Sequence, residues 1–155
     1  MHLNPAEAER QIAARLEAEG IAECQDIAWS AVWLEACGYG GVALLAEALD
    51  DERRDCDLTR GLIGLDLDHV SCAFLAPRII ADVKANGRVF LRNVRHGLFV
   101  LPFTVRENVG IGCPVDPAFA VGGERHKNPY DEKLALAAEQ GLEIDNAHWA
   151  AFTNR

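Results

Sequence analysis

The sequence predicts an α+β fold, with an N-terminal helical unit packed with a small mixed β-sheet and C-terminal helices. Apolar residues recur at helical spacing in the first third of the chain, and short runs of β-branched and aromatic residues follow it. Two further helical patterns close the chain. With 155 residues, half of them apolar and a quarter charged, the chain has the composition of a globular protein, and we expect residues 1–155 to form a single domain.

The first third predicts three helices. Asn4 and Pro5 are typical of a helix start, because Asn caps the first amides and Pro fits the first turn, and Gly20 is a natural stop. A second helix is expected from about residue 24 to 36, apolar around most of its circumference and therefore central. A third, short helix is expected over residues 42–49, and the charged run 50–57 is expected to be an exposed helix end or loop.

The middle of the chain predicts strands around one helix. Proline is favoured in a first helical turn, so Pro77 is expected to begin a helix that ends at Gly87. The expected strands are 62–68, 88–94, 97–105 and 108–113, the second and third of them arranged as a hairpin. A loop is expected over 114–129, followed by helices over 131–140 and 145–152.

Charge and cysteine content exclude several classes of function. The net charge is −9 and the pI is near 4.9, so nucleic-acid or membrane-surface binding is not expected as a main role. The chain has no apolar stretch approaching the roughly 20 residues of a membrane span. An odd number of cysteines without CxxC pairs or a signal peptide favours reduced thiols and a cytoplasmic protein; they are Cys24, Cys37, Cys56, Cys72 and Cys113.

Two groups of reactive side chains have a structural explanation as well as a functional one. Asp66, Asp68 and His69 could offer two carboxylates and an imidazole to a metal, but alternation along a strand puts His69 on the opposite face. A strand end is therefore the expected explanation, and no metal site is predicted. Cys113 with His126 or His96 could form a thiol–imidazole pair, but the sequence does not bring these residues together.

The predicted strand over 88–94 and the turn after it carry the main candidate site. Arg92 and Arg95 can grip a small carboxylate or phosphate, although a solvated strand edge would also explain them. Asn93 and His96 lie at the strand-to-turn boundary, where functional groups are often displayed, and histidine exchanges protons near neutral pH. Arg92, Asn93, Arg95 and His96 are the predicted ligand-binding residues, and His96 is the best catalytic candidate.

Several segments resemble known families. Residues 35–45 (EACGYGGVALL), 65–69 (LDLDH), 91–97 (LRNVRHG) and 109–112 (VGIG) are similar, in order, to motifs of the lactate/malate dehydrogenase family that lacks a Rossmann fold. That group includes ureidoglycolate and sulfolactate dehydrogenases, and the resemblance covers parts of its N-terminal region. The chain also resembles a small proteobacterial family known only as a domain of unknown function.

The dehydrogenase resemblance implies a nicotinamide cofactor, NAD(P), a 2-oxo or 2-hydroxy acid substrate and a homodimer. The chain departs from it at Gly40, which stands where the family has its catalytic histidine. The sequence also has no GxGxxG motif, so NAD(P) binding has no support from a Rossmann signature. If the relationship holds, Asn93 and His96 are what remains of the family's site.

Three hypotheses follow. The favoured one is a non-catalytic binding or accessory domain that holds a small carboxylate with Arg92, Arg95 and His96. The second is a small NAD(P)-dependent oxidoreductase in which His96 transfers the proton. The third is a structural homodimeric subunit, with Trp29 and Trp33 either at the interface or inside the protomer.

Overall fold

The computed structural model describes residues 1–112 and 130–155, which fall into two compact units. Within the described residues, one unit comprises 1–47 and 130–155 and the other comprises 48–112. Helices and short strands in small parallel and antiparallel sheets occur together, so the predicted α+β class is confirmed. The single domain over 1–155 stays a prediction.

The described residues form helices and strands with the following bounds. The helices are α1 (Pro5–Ala18), α2 (Cys24–Ala36), α3 (Gly41–Leu49), α4 (Cys72–Asn86), α5 (Leu101–Glu107), α6 (Asp131–Gln140) and α7 (Asn146–Thr153). The strands are β1 (His2–Leu3), β2 (Leu65–Asp66), β3 (Val89–Arg92), β4 (Ile111–Gly112) and β5 (Leu142–Glu143). The predicted first three and last two helices are confirmed to within a residue or two.

The first unit is built on the pairing of α1 with α2. Asn4 caps α1 as predicted, its side-chain oxygen accepting a hydrogen bond from the Ala6 amide at 2.9 Å. Ile12 and Leu16 on α1 are fully buried, as are Ile27 and Leu34 on α2. Strands β1 and β5 form a two-stranded antiparallel sheet in the same unit. The apolar circumference of α2 is thus explained by burial in the core.

Gly41 permits the close approach of α3 to α2. A Cβ atom at this position would lie 2.1 Å from the carbonyl oxygen of Ala31 and 2.8 Å from the Cβ of Leu34. Neither distance can be tolerated without moving the backbone of α2. The Glu35 carboxylate also accepts a hydrogen bond from the Val42 amide at 2.9 Å, which fixes the start of α3.

The second unit contains a three-stranded parallel sheet in the order β2-β3-β4. Leu65 is in register with Leu91, and both side chains are fully buried. Helix α4 buries most of its residues in this unit, including Leu75 and Ile79. Among residues 1–112 and 130–155, no helix combines the length and apolar character needed to cross a bilayer.

The predicted strand over 97–105 is wrong, and so is the hairpin. Gly97–Val100 form a 3₁₀ turn that leads into α5, and β3 pairs with its neighbours in parallel. Short apolar runs do not distinguish a buried helix from a strand by periodicity. Pro102 favours the helix, because it fits the first turn of α5 and has no amide to donate to a sheet.

The predicted start of the middle helix is also wrong, because α4 begins at Cys72 and Pro77 lies inside it. Ser71 supplies the start, its side chain accepting a hydrogen bond from the Ala73 amide at 3.1 Å. Serine is among the strongest N-cap residues, and this signal precedes Pro77 in the chain.

Candidate functional site

The candidate site lies where β2 and β3 end. Parallel strands bring their carboxyl ends to the same edge of a sheet, where small ligands bind in many α/β proteins. Asp66 is in register with Arg92, and the segments that follow continue side by side. The Leu67 amide donates to the Arg92 carbonyl at 3.0 Å, and the His69 amide donates to the Asn93 carbonyl at 3.1 Å. Residues 66–69 and 92–93, which are distant in sequence, thus share one edge.

The Asp66 carboxylate is fixed at this edge. Its Oδ1 accepts hydrogen bonds from Asn93 Nδ2 and from the Asp68 amide, each at 2.9 Å. These bonds, above all the one from Asn93, lower the pKa of Asp66, and the nearby charges of Arg92 and His69 act in the same direction. Asp66 is therefore an ionised, exposed hydrogen-bond acceptor at neutral pH.

The imidazole of His96 is oriented by Ser71, whose Oγ lies 2.7 Å from His96 Nδ1. Ser71 is fully buried, and its side chain also caps α4. The Cys72 amide donates to the Arg95 carbonyl at 2.9 Å, which holds the two segments together beside this contact. His96 itself is only half-buried, so a partly exposed histidine is held by a fully buried serine.

Arg95 is bound by Asp51. Its Nε and Nη2 donate to the two carboxylate oxygens of Asp51 at 2.7 Å and 2.9 Å. This is the fork-to-fork geometry that an arginine would use to hold a ligand carboxylate. The structure therefore gives Arg95 a positioning role, anchoring the segment that carries His96 to the charged loop after α3.

The backbone of this edge adopts the left-handed conformation at four residues that are not glycine. The φ angles are 51° at Asp68, 58° at His69, 52° at Asn93 and 53° at His96. Such conformations cost about 1–3 kcal/mol each and are concentrated at functional sites, although Asp, Asn and His tolerate them best. Their concentration on the two segments that hold the predicted ligand-binding residues supports a functional origin.

The structure brings Arg92, Asn93 and His96 to the edge formed by the ends of β2 and β3. Arg88 precedes β3 and is exposed, at the opposite end of the strand from Arg92. β2 ends at Asp66, in agreement with the strand-end explanation, and Asp68 pairs with Arg53 at 2.7 Å. In the residues that the structure describes, no three His, Cys, Asp or Glu side chains are grouped to hold a metal ion. Cys113, His126 and the loop expected over 114–129 lie outside those residues.

Sequence reasoning missed Ser71 and Asp51. Ser71 has a local signal, because it is a good cap residue followed by an apolar run. Asp51 has no local signal, because it lies in a charged run and its partner Arg95 is 44 positions further along the chain. The charged run is an exposed loop, as expected, and it also supplies ion pairs to Arg95, Asp68 and Arg78.

The chemical capacity of this edge is that of a small polar binding site. It offers a cation in Arg92, an oriented imidazole in His96 and a fixed acceptor in Asp66. Donors suited to a carboxylate and an acceptor suited to a hydroxyl thus lie on the segments at and after the ends of β2 and β3. Comparison with protein-family models, with curated proteins and with solved structures gives no match to this chain.

Proposed function

We propose that this chain is a non-catalytic ligand-binding or accessory domain that holds a small carboxylate at the carboxyl edge of β2 and β3. A hydroxy acid suits this edge best, with its carboxylate on Arg92 and His96 and its hydroxyl on Asp66. Asn93 holds Asp66 in place, and Arg95 anchors the segment through Asp51.

The observation that carries the proposal is the 2.7 Å contact between buried Ser71 and half-exposed His96. A side chain whose orientation is already fixed loses little entropy when a ligand binds it. The left-handed residues on the same segments add a second, independent sign of functional constraint.

The experiment is a thermal-shift and calorimetric titration of the full chain against lactate, glycolate, malate, pyruvate and oxaloacetate. A ligand at 100 times its Kd stabilises a protein by about 2.7 kcal/mol, which is about 5–10 °C in Tm for a chain of this size. Arg92→Gln and His96→Gln should each weaken the bound acid about tenfold or more, since both remove a charge-assisted or oriented hydrogen bond.

Arg88→Gln is the matched control, because it removes the same charge from the other end of the same strand. The proposal predicts that this variant binds the acid as the natural chain does. Equal losses in Arg88→Gln and Arg92→Gln would indicate a general charge effect, and the absence of binding by every acid would refute the proposal.

A small NAD(P)-dependent oxidoreductase is the second candidate, favoured by the same Ser71–His96 contact, because an oriented imidazole can serve as a general acid. The residue at position 40 weighs against it. Gly40 stands where the resembled dehydrogenases carry their catalytic histidine, and glycine has no side chain that could transfer a proton. Oxidation of NADH or NADPH by the chain with any 2-oxo acid, abolished in His96→Gln, would establish this candidate over the first.

A homodimeric accessory role is the third candidate, and a specific surface favours it. Gly61 and Gly64 exchange backbone hydrogen bonds across a tight turn that presents Leu62 and Ile63 to solvent. These two residues and Phe90 are 108 %, 64 % and 45 % exposed. Exposed apolar groups gathered in this way are typical of protein interfaces. Light scattering should find a dimer that Leu62→Asp converts to a monomer; a natural chain that is monomeric at all concentrations would exclude this candidate.

The cytoplasm is the proposed location. Cys24, Cys37, Cys56 and Cys72 are all free thiols in the structure, which suits a reducing compartment. Fractionation of cells that express a tagged full-length chain tests this, since recovery in a membrane or extracytoplasmic fraction would contradict it.

A further inference from the structure

An apolar groove in the first unit lies among helices α1, α2 and α6. Its volume is about 140 Å³, and it is lined by Trp29, Val32 and Trp33 of α2 and by Leu134 and Ala137 of α6. From α1 it receives one ionisable side chain, Glu9. A groove with this lining excludes most polar ligands, because they would lose hydrogen bonds to water without replacement.

Glu9 is the unexplained feature of the groove. Within residues 1–112 and 130–155, its carboxylate has no hydrogen-bond or ion-pair partner, although the residue is half-buried. Burial raises the pKa of Glu9, and no positive charge among the described residues offsets this effect. An unpaired carboxylate beside apolar side chains is unfavourable in the absence of a cation. By contrast, Glu7 pairs with Arg10 on the same helix, and Glu19, just after the end of α1, pairs with Arg15.

The size of the groove limits what it can hold. Cavities of about 150 Å³ lined by apolar side chains accommodate a single benzene ring. One aromatic ring or a short alkyl chain therefore fits, and a nucleotide or a sugar does not. The indoles of Trp29 and Trp33 are also the side chains that best attract a cation through their ring faces.

We infer that this groove binds a small organic cation, an alkyl- or arylammonium, with its apolar body among Trp29, Trp33 and Leu134 and its ammonium group on the Glu9 carboxylate. Charge complementarity selects this occupant: a neutral hydrocarbon would leave Glu9 unpaired, and a carboxylate would be repelled by it. The net charge of −9 favours the approach of cations further. This site belongs to a different unit from the proposed carboxylate site and does not depend on it.

The test is a fluorescence titration of the full chain with three probes of one shape and different charge: phenethylammonium, 2-phenylethanol and 3-phenylpropionate. Binding of phenethylammonium should be saturable, at least tenfold tighter than that of the alcohol, and the propionate should not bind. Equal affinity for the ammonium and the alcohol, or no saturable binding of the ammonium, would overturn the proposal.

Two variants locate the charge. Glu9→Gln keeps the size of the side chain and should weaken phenethylammonium about tenfold while leaving 2-phenylethanol unchanged. Glu17→Gln removes an exposed carboxylate from the same helix and should change neither affinity. A Glu9→Gln protein that melts as the natural chain does and still prefers the ammonium would refute the assignment of Glu9.

The three tryptophans locate the apolar body. In a ¹⁵N spectrum, the indole signals of Trp29 and Trp33 should move on addition of phenethylammonium, whereas that of Trp149, which does not line the groove, should not. Ala138→Leu places added volume in the groove and should weaken both the ammonium and the alcohol. A shift confined to Trp149, or binding that Ala138→Leu leaves unchanged, would place the ligand elsewhere.

Discussion

The guanidinium of Arg95 and the carboxylate of Asp51 are joined by two parallel hydrogen bonds of 2.7 Å and 2.9 Å. The pair connects the loop after α3 to the segment between β3 and the turn at His96. Its side chains are 39 % and 23 % exposed, so solvent screens part of the attraction. An arginine that the sequence marks as a ligand-binding residue therefore has a structural partner of its own.

The first prediction distinguishes a structural role of Arg95 from a ligand-binding role. Arg95→Gln and Asp51→Asn should each lower the unfolding free energy, with a coupling between them of about 0.5–1 kcal/mol in a double-mutant cycle, a value typical of a partly exposed pair. If Arg95 only positions the segment, both variants should weaken a bound acid to a similar extent. A tighter complex in Asp51→Asn would mean instead that Asp51 competes with the ligand for Arg95.

The second prediction concerns Ser71, which caps α4 and orients His96. Ser71→Ala should lower the unfolding free energy by about 1–2 kcal/mol, because one buried side chain serves both bonds. Asn4→Ala removes a cap of the same kind from α1 and should cost about 1 kcal/mol without any effect on the binding of an acid. Urea denaturation gives both values, and equal acid affinity in Ser71→Ala and the natural chain would show that His96 does not need this partner.

The third prediction concerns Gly41. Gly41→Ala should destabilise the first unit strongly, by more than about 3 kcal/mol, because the added Cβ would meet the backbone of Ala31 at 2.1 Å and overpacking against backbone cannot relax locally. Gly110→Ala is the control, since its Cβ would find its nearest neighbour at 3.8 Å and its φ is not positive. Thermal melting of the two variants measures the difference. Similar melting temperatures would contradict the prediction, because they would mean that α2 and α3 can move apart without a loss of unfolding free energy.

The helices of the first unit could be predicted because their signals are local. Asn4 caps α1 through its own side chain, and the apolar spacing of α2 is visible within thirteen residues. The prediction for residues 97–105 was wrong because the deciding signal is not local. An apolar run is compatible with a strand or a helix, and tertiary packing around Phe99 and Phe103 decides between them.

The candidate site was predictable only on one of its two strands. The run from Arg92 to His96 is contiguous, so spacing and residue type identify it. Its partners Asp66, Ser71 and Asp51 come from the other strand, a helix cap and a distant loop, and only the parallel register of β2 with β3 brings the first of them into contact. A single sequence carries no signal for such pairings.

The last prediction concerns the pH dependence of stability. Burial raises the pKa of the Cys37 thiol to about 11, with Lys133 opposing this effect weakly. An unfolded chain ionises the thiol near its ordinary pKa of 9.0, whereas the folded chain keeps it protonated up to about 11. The folded state therefore binds more protons in this interval, and stability must fall as pH rises from about 9 to about 11.

Chemical denaturation at several pH values between 8 and 11 measures this loss. In Cys37→Ala, the unfolding free energy should decrease less between pH 9 and pH 11, because the contribution of one proton is lost. At pH 8 this variant should be less stable than the natural chain only by the cost of a small cavity. Tyr130, whose pKa burial raises to about 12, should leave a residual decrease of stability with pH near pH 11 in both proteins.

Cys24→Ala is the control, because Cys24 is only half-buried, and this variant should lose as much stability between pH 9 and pH 11 as the natural chain does. Parallel curves for all three proteins would show that Cys37 ionises as readily in the folded chain as in the unfolded one.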